Sequence, residues 1–168
     1  PIQLCLMTAQ IANGGFKIYP KIVLDNKEED MKKDKFKPLY KNPKNIKIVQ
    51  EAIFSSTNEV RGTSYRSRIN DPKYQFAGKT GTAQVKRITK QDRKLDLKTF
   101  EIPYEERDHA LYVAFGPYKN PRYAVSILVE HGGSGSSVAA PIAKKLFKKI
   151  IDRHEIRKNF NNKRYLDI

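Results

Sequence analysis

Ala77-Gly78-Lys79-Thr80-Gly81-Thr82-Ala83-Gln84-Val85 is the stretch around which the rest of the chain is organised. Its flanks, Gln75-Phe76-Ala77 and Ala83-Gln84-Val85, mix aromatic, small and β-branched residues and suit a β-strand. Its centre sets two glycines around a lysine–threonine pair, and a glycine inside a strand marks close approach by a ligand or by another backbone. Lys79 brings a positive charge, Thr80 and Thr82 bring hydroxyl donors, and Gly81 leaves no side chain in the way. Together they suit an anion such as a carboxylate. A simple bulge would show the same tripeptide by chance, so the neighbouring segments decide.

Upstream, residues 2–13 place Ile2, Leu6, Ala9 and Ile11 close to one helical face, broadened by Leu4, Cys5, Met7 and Ala12. Asn13-Gly14-Gly15 ends that helix with residues that accept left-handed backbone. Phe16 to Leu24 reads as extended, and Lys27 to Lys41 as a solvated, charged excursion. Pro43 opens a second helix, with Ile46, Val49, Ile53 and Phe54 on one face, running out near Asn58. Arg61 to Tyr74 is a loop leading into the lysine–threonine strand.

Downstream, Lys86 to Asp108 is a polar insertion. Leu111–Phe115 and Tyr123–Glu130 are two further strands, joined across the turn signal Asn120-Pro121. Gly132-Gly133-Ser134-Gly135-Ser136 breaks the last strand, and Ser136 or Ser137 is placed to cap a final helix. In that helix Val138, Pro141, Ile142, Leu146, Ile150 and Ile151 form the expected apolar stripe, with Lys144, Lys145, Lys148 and Lys149 in water. The charged tail from Arg157 is expected to fray. Three strands with helices before and after imply an α+β fold, an antiparallel sheet covered by helices.

With 168 residues the chain makes one domain at most, or part of one. No run of 18 apolar residues exists to span a membrane, and Pro1-Ile2-Gln3-Leu4 shows neither a signal peptide nor an initiating methionine. The single Cys5, among Leu4, Leu6 and Met7, reads as a small buried hydrophobe and excludes an internal disulfide or a multi-cysteine zinc site. A net charge of +15 raises the question of nucleic acid, yet no nucleic-acid motif accompanies it. A basic surface equally suits anionic headgroups, and compositional bias explains most of the excess.

The order Arg61-Gly62-Thr63-Ser64-Tyr65-Arg66, Ala77-Gly78-Lys79-Thr80-Gly81-Thr82-Ala83-Gln84, Arg107-Asp108-His109-Ala110-Leu111, Phe115-Gly116-Pro117-Tyr118, Asn120-Pro121-Arg122-Tyr123-Ala124-Val125 and Glu130-His131-Gly132-Gly133 resembles the transpeptidase domain of class B penicillin-binding proteins. The nearest likeness is to the elongation-type, penicillin-binding protein 2 branch, and it covers Pro1 to about Ile151. Lys-Thr-Gly is the third signature of that serine-enzyme group, after Ser-x-x-Lys and Ser-Asp-Asn.

The resemblance implies the C-terminal part of a serine β-lactamase-like fold: a five-stranded sheet between helices, beside an all-helical subdomain, with the cleft between them. Residues 1–156 are expected to be the C-terminal portion of that domain, incomplete at its N-terminus, and 157–168 a tail. It further implies peptidoglycan D,D-transpeptidation: a serine attacks the D-alanyl-D-alanine bond of a stem peptide, and an amine of a neighbouring strand takes the acyl group. Lys79 would hold positive potential in the cleft, and Thr80, Gly81 and Thr82 would bind the carboxylate of a stem peptide or a β-lactam. The Thr82 N–H would be one oxyanion-hole donor. The implied partners are those ligands and cell-elongation membrane proteins, with no nucleic acid, cofactor or metal. The implied place is the periplasmic face of the inner membrane.

None of Ser55, Ser56, Ser64, Ser67, Ser126, Ser134, Ser136 and Ser137 is followed by lysine three residues later, so the nucleophile motif is missing. Ser56-Thr57-Asn58 imitates the second motif but stands 23 residues before Lys79, where a polar helix end is the better reading. His109 and His131, like Asp108 and Glu130, are expected to be structural, because the family moves its proton with lysine. This chain alone is therefore expected to be inactive. The alternative is a non-catalytic remnant or binding module of a split gene.

Overall fold

The computed structural model describes residues 1–20, 22, 36–87 and 97–166, the last helix with side chains as far as residue 158. Three strands, β1 (Ala77–Ala83), β2 (His109–Gly116) and β3 (Tyr123–Val129), pair antiparallel in the order β1-β2-β3. The strand of β1 stops at Ala83, short of Gln84 and Val85. The register sets Lys79 opposite Val113 and Val113 opposite Ser126, while Thr80 lies opposite Tyr112 and Tyr112 opposite Ile127. Since side chains alternate along a strand, Lys79 and Thr80 belong to opposite faces of the sheet.

α1 (Ile2–Ala12) lies against β2 and β3, with the Cys5 thiol donating to Ala124 O at 3.4 Å. Gly14 and Gly15 follow it at φ 93° and 86°, as a left-handed helix exit requires. α2 (Pro43–Asn58) starts on Asn42, whose side chain accepts from Lys44 N–H, and it packs beside β1. Phe16 to Pro20 is irregular apart from a bridge to Pro38. The expectations for 21 and 23–24, and for most of the Lys27–Lys41 excursion, lie outside the described residues, as does 88–96 of the polar insertion. The rest of that insertion is partly ordered into 3-10 turns at Thr99–Glu101 and Tyr104–Glu106.

The core sits between the sheet and α3 (Ala140–Leu166). Phe76, Ala110, Tyr112 and Ala114 face Ala139, Ala140, Ala143, Phe147 and Ile151, and the Phe76 and Phe147 rings stack at 4.9 Å. This corrects the expected stripe. Ile142 and Leu146 are 39% and 37% exposed, and Lys144 is half-buried. Alanines at 139, 140 and 143 let the helix sit close on the sheet, so small size rather than apolar bulk selects the contact face.

The entry to α3 is a π-turn, Gly135–Ala139, whose cap is Ser134 rather than Ser136 or Ser137. Gly135 lies so near the sheet that a Cβ would stand 2.5 Å from Leu111 O and 2.8 Å from Gly81 O. At its other end α3 continues to Leu166, where fraying from Arg157 was expected. No glycine or proline interrupts the chain after Pro141, so nothing local stops the helix. Tyr74 OH and Lys73 Nζ both bond the Asp152 carboxylate and tie the loop before β1 to α3.

The contact face of α3 gives a direct test. Phe147→Ala should destabilise the fold by about 3–5 kcal/mol, as for other buried phenylalanines, whereas Leu146→Ala should cost less than about 1 kcal/mol. Urea denaturation of the two variants measures the difference, and equal losses would contradict the assignment of the faces.

Candidate active site

The outer edge of β1 is made in two halves. In the first, the end of α2 takes the place of a neighbouring strand. Asn58 Nδ2 donates to Phe76 O at 2.9 Å, and Thr57 Oγ1 both accepts from Gly78 N–H at 3.0 Å and donates to Gly78 O at 2.9 Å. Alternate strand residues send their backbone groups to the same side, so Thr80 and Thr82 present theirs outward like Phe76 and Gly78. Gln75, out of phase with them, turns its carbonyl the other way to accept from Tyr118 N–H at 2.8 Å.

In the second half α2 makes no bond to the outward backbone groups, although it meets Phe76 through its last residue Asn58 and Gly78 through Thr57, and the edge is open. Thr80 O meets Lys79 Nζ at 3.0 Å, and no described residue accepts from the N–H of Thr80 or Thr82.

Lys79 is exposed, and its ammonium also donates to Thr80 Oγ1 at 3.2 Å. No carboxylate among the described residues pairs with it. Thr80 Oγ1 lies 3.4 Å from Thr63 Oγ1, which is 3.1 Å from Ser56 Oγ. Thr82 is exposed at the same edge, and Gly81 sits under the close approach of Gly135. The structure thus gathers Lys79, Thr80, Gly81 and Thr82 into one accessible strip: a cation, two hydroxyls and two outward N–H groups on five consecutive strand positions from Gly78.

Sequence reasoning missed what lies beneath the strip. Thr57 Oγ1, Ser64 Oγ and Tyr112 OH are 2.9–3.1 Å from one another in a fully buried triangle. Ser64 Oγ also donates to Ser56 O at 3.1 Å. Gly78 closes the arrangement, because a Cβ there would lie 2.4 Å from the Tyr112 hydroxyl. The first glycine of the motif is therefore required by a side chain, not by a ligand. The available signal was Thr57-Asn58 itself, read only as a polar helix end; both residues cap the edge of β1.

His109 and His131 fill structural roles at the far end of β1. His109 Nδ1 accepts from His131 N–H at 2.9 Å, and His131 Nδ1 bonds Arg107 O at 3.1 Å, both tying the turn after β3 to the start of β2. Asp108 Oδ1 accepts from Val85 N–H at 3.2 Å.

An open strand edge bearing lysine and threonine thus lies on an antiparallel sheet backed by helices. The penicillin binding protein transpeptidase domain matches residues 1–148, and the chain belongs to that family. It is 33% identical over 160 residues to the peptidoglycan D,D-transpeptidase MrdA of Salmonella typhimurium, covering 90% of this chain and 25% of that protein. Among solved structures it is similar to Pseudomonas aeruginosa penicillin-binding protein 2 in complex with WCK 5153, at 33% identity and TM-score 0.64 over 89% of this chain and 30% of that one. It also resembles penicillin-binding protein 2 of Helicobacter pylori in its complex with MreC, at 31% identity and TM-score 0.65 over 86% and 23%. The chain thus spans about a quarter of the length of the Salmonella relative, and its described residues form three of the five strands that the resemblance implies.

Burial pushes the Tyr112 phenol above its ordinary 10.0, opposed by its bonds to Ser64 and Thr57. The folded protein then keeps a proton that the unfolded chain releases, so stability is intact below pH 10 and falls as the pH rises past it. Tyr118 is raised too, by burial and then by Glu51. Tyr112→Phe should therefore lessen, without abolishing, the alkaline loss in urea midpoint between pH 9 and about 11. An unchanged loss would show that Tyr112 is not buried in this way.

Proposed function

We propose that this chain forms the Lys-Thr-Gly wall of a peptidoglycan D,D-transpeptidase. The observation that carries the proposal is the open half of the β1 edge, where Lys79, Thr80 and Thr82 stand together and the outward N–H groups of Thr80 and Thr82 have no partner among the described residues. An extended peptide ending in a carboxylate matches such an edge: it bonds the strand laterally, as in β-strand addition, and its anion meets the threonine hydroxyls and the lysine charge. A β-lactam offers the same carboxylate beside an acyl carbonyl.

In the acyl transfer, Thr82 N–H donates to the oxygen on which negative charge develops, and the second donor is the N–H of the attacking serine. That serine, with its lysine base, comes from a segment outside these 168 residues, since none of the eight serines here stands in a Ser-x-x-Lys motif. Lys79 keeps the potential positive at the carboxylate and at the serine motif. The exposed apolar side chains of Ile2 and Met7 on α1 and Leu128 on β3 suit a chain that packs against more protein.

The relative from Helicobacter pylori is seen bound to MreC, and we extend to this chain a partner of that elongation class at the periplasmic face of the inner membrane. No described helix is long and apolar enough to cross a membrane.

Labelling by a fluorescent penicillin tests the proposal. The longer protein that includes the serine motif should take a label that survives denaturation, and the 168-residue chain alone should take none. Lys79→Ala in the longer protein should slow labelling by about 10²–10³-fold, the loss expected for one electrostatic contact to the transition state. Stable labelling of the short chain, or indifference to Lys79→Ala, would overturn it.

A further inference from the structure

Thr80 stands where three parts of the fold meet, and each part is fastened to the same buried hydroxyls. Gly78, the preceding outward residue of β1, is held at both N–H and C=O by Thr57 Oγ1. Thr63, whose hydroxyl is 3.4 Å from that of Thr80, belongs to the loop anchored by Ser64. Tyr112 lies directly across the sheet from Thr80. We propose that the Thr57–Ser64–Tyr112 cluster is a positioning element for the ligand-binding edge of β1, setting where the Thr80 hydroxyl and the Thr82 N–H stand. This rests on the reading of that edge as the carboxylate and oxyanion wall.

The geometry supports positioning in particular. Among the described residues β1 has no strand on its outer side, so control of its edge from that side comes from α2 through Asn58 at Phe76 and Thr57 at Gly78. Strands advance about 3.3 Å per residue, which puts Thr80 about 7 Å and Thr82 about 13 Å beyond the last peptide that α2 holds from the outer side. A tilt of the Gly78 peptide is therefore opposed along the outward row only by the pairing of β1 with β2. Misplacement by about 1 Å is enough to lower an acyl-transfer rate roughly 10²-fold.

The cluster is also undivided. Thr57 and Ser64 give their protons to the carbonyls of Gly78 and Ser56, so the Tyr112 proton alone is left for the three short oxygen–oxygen contacts. Taking away one oxygen leaves the others to reorient, and each of them touches a different neighbour of Thr80. Gly78 carries no Cβ because the Tyr112 hydroxyl occupies that space, so the motif and the cluster are built around one another.

Tyr112→Phe removes one oxygen and leaves the ring. Thr57→Val removes another at nearly constant shape, and Thr57→Ser restores it. In the longer protein, penicillin acylation measured under single turnover separates initial binding from the acylation step, at a temperature where each variant is fully folded by its own melting curve. Tyr112→Phe and Thr57→Val should slow the acylation step by about tenfold or more while binding changes less, and Thr57→Ser should recover most of the loss. Variants that melt earlier but acylate at the wild-type rate would reduce the cluster to a stabilising contact and overturn the proposal. If Thr57→Val does not fold, Tyr112→Phe decides alone. A wild-type protein that takes no penicillin would instead overturn the reading of the edge, and the proposal with it.

Discussion

The hydroxyl of Thr57 does the work of a missing strand. By accepting from Gly78 N–H and donating to Gly78 O, one side-chain atom satisfies both backbone groups that an edge residue of β1 turns outward. Those groups would otherwise be buried and unpaired, at a cost of about 1–3 kcal/mol each. Every feature of the site follows from where that substitution stops. Upstream the edge is sealed by Asn58 and Thr57; from Thr80 onward no described residue bonds the outward N–H groups and the edge is free.

A free strand edge is ordinarily a hazard, because its row of N–H and C=O groups invites pairing with another chain. Here the open part is short, carries an exposed lysine, and sits beside a sealed segment that holds its geometry. The same properties make it a receptor for a small extended anion. The lysine attracts the charge, the threonines orient it, and the outward N–H groups are fixed in direction before any ligand arrives. Preorganised donors of that kind are effective at developing negative charge because they need no rearrangement during the reaction.

Much of this was legible in the residues. The strand at Lys79, the two strands after it and the helix ending near Asn58 followed from order and alternation, and the family from the resemblance of the motifs. What was not legible depended on packing. Ile142 and Leu146 looked like the core of α3 because they are large and apolar, but the sheet accepts the helix through Ala139, Ala140 and Ala143. Gly78 looked like clearance for a ligand and is clearance for Tyr112. Thr57, Ser64 and Tyr112 are 7 to 55 residues apart in sequence, and no local pattern marks three hydroxyls that meet only after the sheet has formed.

The central claim is that the β1 edge is sealed at Gly78 and open at Thr82. Residue-resolved amide hydrogen exchange measures it directly, since an N–H bonded inside the fold exchanges only when the fold opens. The Gly78 amide should be strongly protected, and the Thr82 amide should exchange rapidly until a β-lactam is bound in the longer protein, and then slow. A Thr82 amide as protected as that of Gly78 in the unliganded protein would contradict the account.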